Sequence, residues 1–320
     1  MCFVPVPWHG SCGPYPPMVD VSVIIPTRDR LPLLMTALRS ALAQDGVTAE
    51  VIVVDDGSAP AVASHVRDLD GRVTVHRHAD PSGVSAARNT GIAAAGGRWI
   101  AFLDDDDAWA PTKLARQLAA ASESDRNWAY AGYVDVDADL ELLAGTPPPD
   151  PDEVMDLLTG HNSVPASASS VVVRASALAR AGVFDVGLHV HEDWDLWIRL
   201  ARLGPPACAP EPLVALRWHS ANRSSQMAAM LRELPVIARR HDIVVDYPRH
   251  LRWAAWTAWR SGRRGTAARW YLSAAVRGDL PSLGRAVVVC VRPQGAVRRV
   301  SQRPPSDWAT AADEWLRELR

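Results

Sequence analysis

Short apolar runs rich in β-branched residues alternate with segments of helical spacing through the first third of this sequence. The helical segments span residues 31–42 and 85–95, and the apolar runs span residues 21–25, 51–54, 73–75 and 99–103. Apolar strands that alternate with helices are typical of a mostly parallel sheet with helices on both sides. The sequence therefore predicts an α/β fold with a doubly wound, Rossmann-like sheet.

Strand signals fade after residue 218, and helical spacing predicts helices at residues 226–241, 248–261, 265–277 and 306–318. The formal charge also changes, from −11 over residues 1–228 to +9 over residues 229–320. We therefore expect three regions. They are a disordered leader or misplaced start over residues 1–18, an α/β domain over residues 19–227, and an arginine-rich helical extension over residues 228–320.

The basic extension has two interpretations. Its charge and its tryptophans favour acceptor docking, a homodimer contact or peripheral contact with a membrane, but a solvated arginine face would have the same composition. Trp253, Trp256 and Trp259 lie three residues apart, which is more typical of a helix-pair core than of a binding stripe. No nucleic-acid partner is expected.

The chain carries four cysteines without the paired spacing of a zinc site or a disulfide framework, at positions 2, 12, 208 and 290. Its best apolar run, residues 286–291, is far shorter than the ~20 residues of a membrane-spanning helix. These features predict a cytoplasmic protein, with peripheral contact at the inner membrane face as a possibility.

Polar residues follow three successive predicted strands, at positions 27–29, 55–58 and 104–107. In open parallel sheets, ligands bind at the carboxyl ends of the strands. Neither a Gly-x-Gly-x-x-Gly motif nor a P-loop is present, which excludes the common glycine-rich phosphate sites. The last segment is four consecutive aspartates, which repel one another unless a cation or protons neutralise them. A divalent cation bridging to a diphosphate is favoured over a plain solvated loop.

Five segments of the chain resemble glycosyltransferase family 2, the nucleotide-sugar transferases of GT-A fold, in the family's order and spacing. They are VSVIIPT at residues 21–27, VVDDGS at 53–58, GVSAARNTG at 83–91, FLDDDDAW at 102–109 and EDWDLW at 192–197. Together they cover about residues 20–225. The Gln-x-x-Arg-Trp signature of processive polysaccharide synthases is missing, so one sugar per encounter is expected.

The resemblance implies a set of donor-binding residues. Pro26, Thr27 and Arg28 would line the nucleotide pocket, and Asp56 would accept a hydrogen bond from a ring N–H of the base, with UDP favoured. Asp55 has the alternative role of capping the helix that follows.

The resemblance also implies a metal site for Mn²⁺ or Mg²⁺ in the aspartate run. Asp106 would bind the metal directly, and Asp104 would contact the metal or the ribose. Asp107 would be a reserve ligand, and Asp105 would point away. Arg88 would contact the diphosphate or, equally, pair with the aspartates. Lys113, the single lysine, is expected to be an ordinary surface or bracing residue.

The second acidic motif, Glu192 with Asp193, would supply the general base of an inverting displacement. Asp193 would take the acceptor proton, and its neighbour Glu192 would raise its pKa by like charge. The alternative is that Asp193 caps the helix. His219 would be a third metal ligand and Arg223 a phosphate clamp, against purely structural roles for both.

These implications describe an inverting, metal-dependent transfer of one sugar from a nucleotide-diphosphate sugar to an unknown acceptor. The acceptor could be a glycan, a lipid-linked sugar, a peptide or a small molecule. The competing hypothesis is a catalytically inactive GT-A-like interaction module that acts through the helical tail. A nucleotidyltransferase is less consistent with the sequence, because its glycine-rich, arginine-containing loop is absent.

Overall fold

A computed structural model describes residues 19–66, 69–218, 227–291 and 306–320 of the chain. The expected leader, residues 1–18, lies outside the described residues.

A nine-stranded sheet forms the centre of the molecule. Its strands are β1 (Val21–Thr27), β2 (Ala49–Asp55), β3 (Val73–Arg77), β4 (Trp99–Phe102), β5 (Ala108–Trp109), β6 (Trp128–Val136), β7 (Leu142–Gly145), β8 (Val172–Arg174) and β9 (Ala207–Arg217). They are ordered β3-β2-β1-β4-β8-β6-β9-β5, with β7 paired to β6.

Four neighbouring strands, β3, β2, β1 and β4, are parallel. Strand β8 then runs antiparallel to both β4 and β6, while β6 and β9 are parallel to each other. The sheet is therefore mostly parallel, and the carboxyl ends of β1, β2 and β4 lie along one edge. The mostly parallel sheet predicted from the sequence is confirmed.

The described helices are α1 (Leu31–Leu42), α2 (Ala63–Val66), α3 (Val84–Ala94), α4 (Lys113–Glu123), α5 (Pro151–Leu157), α6 (Ala175–Ala181), α7 (Glu192–Ala201), α8 (Met227–His241), α9 (Tyr247–Arg260), α10 (Arg264–Val276), α11 (Pro281–Val291), α12 (Asp307–Thr310) and α13 (Asp313–Leu319). A 3₁₀ turn spans Ser167–Ser170. Three of the predicted tail helices are present as α8, α9 and α10, whereas the predicted helix over residues 306–318 is divided into α12 and α13. Helix α11 was not predicted from the sequence.

The sheet is covered on both faces, as its alternating side chains require. Val23 and Ile25 point into one core with α1 and α4, whereas Ile24 points into the opposite core with α7. Helix α3 lies close against β1 because Gly91 has no side chain. A Cβ atom there would come within 2.4 Å of Ile24.

The helical extension contributes to both cores of the α/β domain. Leu234 and Ile237 of α8 belong to the core that contains α7, and Trp315 and Leu316 of α13 belong to the opposite core. Helices α9, α10 and α11 share a small core of their own around Tyr271. None of the helices in the described residues has the length and apolar character needed to span a bilayer.

The tryptophans of α9 have divergent surroundings. Trp259 packs against the small core of the extension, as the helix-pair interpretation predicts. Trp256 instead contacts Trp218 with ring centroids 6.1 Å apart, and Trp253 is 38% exposed. The helix-pair interpretation therefore fails for Trp253, which lines a cavity.

Candidate active site

A cavity of about 700 Å³ opens at the carboxyl ends of β1, β2 and β4. Nine residues proposed from the sequence as ligand or catalytic residues line it: Pro26, Thr27, Arg28, Asp56, Asp104, Asp106, Asp107, Glu192 and Asp193. The fold thus brings the separate sequence motifs to one place, as expected from the common direction of these strands. His219 and Arg223 lie outside the described residues.

The turn after β1 is tied to the aspartate run. The Thr27 hydroxyl donates to Asp105 at 2.7 Å, and Arg30 reaches Asp105 at 3.2 Å and Asp106 at 3.0 Å. Arg28 is exposed at the cavity mouth. Arg30 was not singled out from the sequence, although its place one turn after the strand end could have indicated this role.

Asp55 holds the turn after β2. Its buried carboxylate accepts hydrogen bonds from the backbone N–H of Ser58 at 2.8 Å and of Val62 at 3.2 Å, and it pairs with Arg77. Burial raises the pKa of Asp55, but these donors outweigh burial and lower it below its usual value. Asp55 thus stabilises the loop between β2 and α2, but it lies too far before Ala63 to be the N-cap of that helix.

Asp56 lies next to Asp55 but faces the cavity. It accepts hydrogen bonds from the backbone N–H of Ser82 at 2.8 Å and Gly83 at 2.9 Å, and its other contact is His78 at 2.8 Å. Burial raises its pKa, but the Ser82, His78 and Gly83 contacts outweigh burial and lower it. A carboxylate has about four acceptor positions, so a ligand N–H can still bind.

The four consecutive aspartates have four different surroundings. Asp104 pairs with Arg88, and Asp106 pairs with Arg30. Asp107 accepts from the Ser169 hydroxyl at 2.5 Å and from the Arg217 backbone N–H at 3.1 Å. Asp105 was expected to point away from the site. It instead lines the cavity wall, held by Thr27 and Arg30.

One carboxylate oxygen from each of Asp104, Asp106 and Asp107 lies within 4.8 Å of the others. Oxygen donors at this spacing fit a hard divalent cation such as Mg²⁺ or Mn²⁺. Burial and the neighbouring charge of Asp106 raise the pKa of Asp107 well above its usual value and that of Asp105 to about 6. The cluster therefore holds more negative charge than its surroundings favour, and a cation there would relieve it.

Arg88 joins the two acidic motifs from beneath the cavity. Its guanidinium is fully buried, 2.7 Å from Asp104 and 3.1 Å from Glu192. It also lies over the Phe184 ring, 5.0 Å from the centroid. Of the two roles open to Arg88, the structure shows the ion pair with the aspartate run.

Asp193 begins α7 together with Glu192. Its carboxylate accepts from the Ser167 hydroxyl at 2.5 Å and from the Asn162 amide at 3.0 Å. Burial and the adjacent charge of Glu192 raise the pKa of Asp193 to about 6. A carboxylate with this pKa is ionised at neutral pH and is more basic than an ordinary aspartate, as a general base requires.

Helix α8 supports the second acidic motif. Glu233 accepts from the backbone N–H groups of residues 189–191, directly before α7, and Asp195 pairs with Arg240 and His241. Burial raises the pKa of Asp195, but these donors outweigh it and hold it far below its usual value. Neither Glu233 nor the α8 contacts could be read from sequence spacing.

Lys113 is a bracing residue and not a surface residue. It is completely buried, donates to Gln117 at 2.7 Å and lies 3.8 Å from the centroid of the Trp109 ring. Burial lowers its pKa well below the usual value. Its contact with Trp109 therefore holds α4 close to the aspartate run, although Lys113 does not line the cavity.

Residues 22–180 match the family model described as glycosyl transferase family 2. The chain belongs to this family. The succinoglycan biosynthesis protein ExoO of Rhizobium meliloti (strain 1021) is 43% identical over 106 residues, which are 32% of this chain and 30% of that protein. WfgD of Escherichia coli, a UDP-Glc:alpha-D-GlcNAc-diphosphoundecaprenol beta-1,3-glucosyltransferase, is 32% identical over 114 residues, 35% of this chain and 45% of that protein. The match spans less than half the length of each relative.

The fold has relatives among solved structures. S. aureus TarS 1-349 in complex with UDP aligns with a TM-score of 0.54 at 17% identity, over 94% of this chain and 90% of that one. Its complex with UDP-GlcNAc gives the same TM-score at 16% identity. The mixed α/β GT-A fold with a helical C-terminal region, predicted from the sequence, is confirmed.

Proposed function

We propose that this chain is an inverting glycosyltransferase that moves one sugar from a nucleotide-diphosphate sugar to a hydroxyl group of an acceptor. The observation that carries this proposal is the shared cavity. Three distant segments of the chain contribute carboxylates to this one cavity: Asp56, the pair of Asp104 and Asp106, and Asp193. Each type of carboxylate has a separate task in such a transfer.

The donor side of the cavity lies along β1 and β2. Pro26, Thr27 and Arg28 flank the nucleotide, and the remaining acceptor position of Asp56 receives a ring N–H of the base. Uracil offers such an N–H, and UDP is the preferred nucleotide of the donor. The named donor of WfgD and the UDP and UDP-GlcNAc complexes of TarS support this choice.

Asp106 and Asp104 would hold Mn²⁺ or Mg²⁺, with Asp107 behind them. A bound divalent cation neutralises negative charge on the diphosphate as the sugar departs. Arg88 keeps Asp104 in place through its 2.7 Å ion pair and limits repulsion within the run. His219 as a further ligand and Arg223 as a phosphate clamp remain part of the proposal.

Asp193 is the proposed general base. The acceptor hydroxyl oxygen bonds to the anomeric carbon while the bond from that carbon to the diphosphate oxygen breaks, and the electron pair leaves with the diphosphate. The hydroxyl proton passes to Asp193. A single displacement of this kind inverts the anomeric centre. Ser167 and Asn162 orient the Asp193 carboxylate, and Glu192 keeps it basic.

The helical extension, residues 228–320, is proposed to bring the enzyme to a membrane surface. Six exposed apolar side chains lie along α10, α11 and the turn between them at intervals of three or four residues, and we call them the apolar patch: Leu272, Val276, Leu280, Leu283, Val287 and Val291. Exposed apolar side chains grouped in this way are typical of a surface that contacts a partner or a membrane. Exposed Arg277 and Arg285 adjoin it, which favours an anionic bilayer over a second copy of this chain.

The inactive-module alternative is less favoured. Glu192 and Asp193 are buried carboxylates, and burying charge costs stability unless a function or a partner offsets it. A module that acts only through its tail has no need of this acidic cavity.

The test of the proposed function is a screen of nucleotide sugars with the purified chain and Mn²⁺. Release of nucleoside diphosphate is measured for each donor, and UDP-sugars are expected to give the fastest release. The proposal is contradicted if no donor is consumed and none raises the melting temperature in the presence of metal.

A further inference from the structure

A second cavity, of about 390 Å³, lies in the helical extension and is separate in chemistry from the acidic one. It is lined by three arginines and three aromatic residues: Arg249, Arg252, Trp253, Trp256, Tyr271 and Arg285. We call this set the arginine pocket. It is built from one face of α9, where positions 249, 252, 253 and 256 follow helical spacing, and from α10 and α11.

The charge of the arginine pocket is only partly neutralised. Asp279 lies 3.2 Å from Arg252 and 3.3 Å from Arg285. Arg249 is exposed, and no carboxylate of the described residues pairs with it. Two positive charges therefore remain in excess, which suits an anionic ligand.

The Tyr271 side chain offers a hydroxyl to the arginine pocket. It is only 6% exposed, yet it lines the pocket, and no group of the described residues forms a hydrogen bond with its hydroxyl. The hydroxyl is therefore available to a ligand in the pocket. Beside arginines, it is placed to donate to an oxygen of the ligand.

Trp253 connects the arginine pocket to the acidic cavity, because this side chain lines both. Trp256 adds a second aromatic wall, and it contacts Trp218, which also lines the acidic cavity. Flat aromatic faces of this kind suit the apolar face of a sugar ring. A molecule held here by an anion would therefore extend past Trp253 toward Asp193.

We propose that the arginine pocket binds a phosphate or diphosphate group of the acceptor and so selects a phosphorylated acceptor for the transferase. This inference rests on the proposed function for the identity of the molecule as acceptor, while the binding itself does not. Arg249, Arg252 and Arg285 attract the phosphate, and the Tyr271 hydroxyl donates to it. The attached sugar packs against Trp253 and extends toward the acidic cavity.

The experiment measures binding of inorganic pyrophosphate to the full chain by calorimetry, with a chelator present to remove divalent metal. Without metal the acidic cavity repels this anion, so binding reports the arginine pocket. Arg249→Gln is expected to weaken binding about tenfold and Tyr271→Phe about threefold. Arg269→Gln, an exposed arginine of α10 outside the pocket, is the matched control and should change binding less than twofold.

Three outcomes overturn the proposal. They are no pyrophosphate binding, equal weakening by Arg269→Gln, or unchanged binding in both Arg249→Gln and Tyr271→Phe. The source of the phosphate is distinguished by replacing pyrophosphate with glucose 1-phosphate or decyl phosphate, since preferred binding of the first supports a sugar phosphate and of the second a lipid phosphate. Because no donor takes part, a failure here leaves the nucleotide-sugar screen as a separate result.

Discussion

Arg88 lies 2.7 Å from Asp104 and has no exposure to solvent, so the charge of the aspartate run is balanced from inside the protein. The other arm of the same guanidinium reaches Glu192 at 3.1 Å. A planar, forked guanidinium can hold two carboxylates in fixed positions, and a lysine ammonium does this less well. The aspartate run and the motif of Glu192 with Asp193 are thereby kept in one arrangement.

Replacing Arg88 with methionine should lower the free energy of unfolding by about 3–5 kcal/mol, because two buried carboxylates lose their partner. Urea denaturation measures the change. Arg98→Met is the matched control, since Arg98 pairs with Asp20 at the same 2.7 Å but is 62% exposed. The control should lose no more than about 1 kcal/mol. Equal losses in the two variants would show that burial does not set the strength of the Arg88 pair.

Activity should rise with pH, with a midpoint near 6, because the proposed base works only as the ionised carboxylate and the pKa of Asp193 is raised to about 6. Ser167→Ala removes a hydrogen bond that stabilises the ionised form, so its midpoint should move upward. Asp193→Asn should reduce turnover by ~100-fold or more while donor affinity changes little. Initial rates between pH 5 and 8 measure both effects, and an unmoved midpoint in Ser167→Ala argues against Asp193 as the titrating group.

Asp106→Ala should weaken Mn²⁺ binding by about tenfold or more, since it removes a proposed ligand. Asp105→Asn changes the neighbouring carboxylate, which already has Thr27 and Arg30 as partners, and should retain the metal. Paramagnetic resonance of free Mn²⁺ measures both without an activity assay. Similar affinity in the two variants would exclude Asp106 as a principal ligand.

Val287→Glu should weaken binding to vesicles that contain an anionic phospholipid by about tenfold, because it places a like charge in the apolar patch. Val244→Glu is the control, since Val244 is 90% exposed but lies outside α10 and α11. Vesicle sedimentation at low and moderate salt gives the affinities. If both variants bind vesicles as the unchanged chain does and Val287→Glu instead dissociates a dimer, the patch contacts a second copy.

Lys113→Met should raise the free energy of unfolding at pH 7. Methionine keeps the buried aliphatic part of the side chain, and the variant no longer has to bury a charged amine or deprotonate it on folding. Burial lowers the pKa of Lys113 in the folded state, so the unfolded chain binds more protons and stability should increase as pH rises toward the ordinary lysine pKa. The variant should lose this part of the slope. Denaturation between pH 7 and 10 tests it, and a destabilised variant with an unchanged slope would show that the Trp109 contact favours the charged form.

The strand ends and their carboxylates were predictable because short apolar runs and the residues after them follow from local sequence. Asp55 and Asp56 illustrate where this stops. Asp55 is the last residue of β2 and Asp56 follows it, yet the first bonds to the backbone of the next loop and the second faces the cavity. Adjacent residues on a strand point in opposite directions, but the packing that decides which one meets the ligand is not local.

The long-range partners that support the site could not be predicted from the sequence, because they too depend on packing that is not local. Ser167 donates to Asp193, and Glu233 holds the backbone directly before α7, both from other segments of the chain. Lys113 gave a misleading signal, because lysine is almost always exposed and only the tertiary structure places it over Trp109. Spacing identifies which residues can do the chemistry, whereas their supports depend on the completed fold.

Helix α13 packs into the core that contains α1 and α4, and this has a consequence for how the chain folds. Arg320 donates to the carbonyl of Leu140, 180 positions earlier, and Trp308 donates to that of Pro210. Strands β6 and β7 therefore leave the ribosome long before the residues that cover them. Contacts of such separation slow folding, and the uncovered strands expose apolar surface meanwhile. We therefore expect β6 and β7 to be prone to aggregation until the last helices are synthesised.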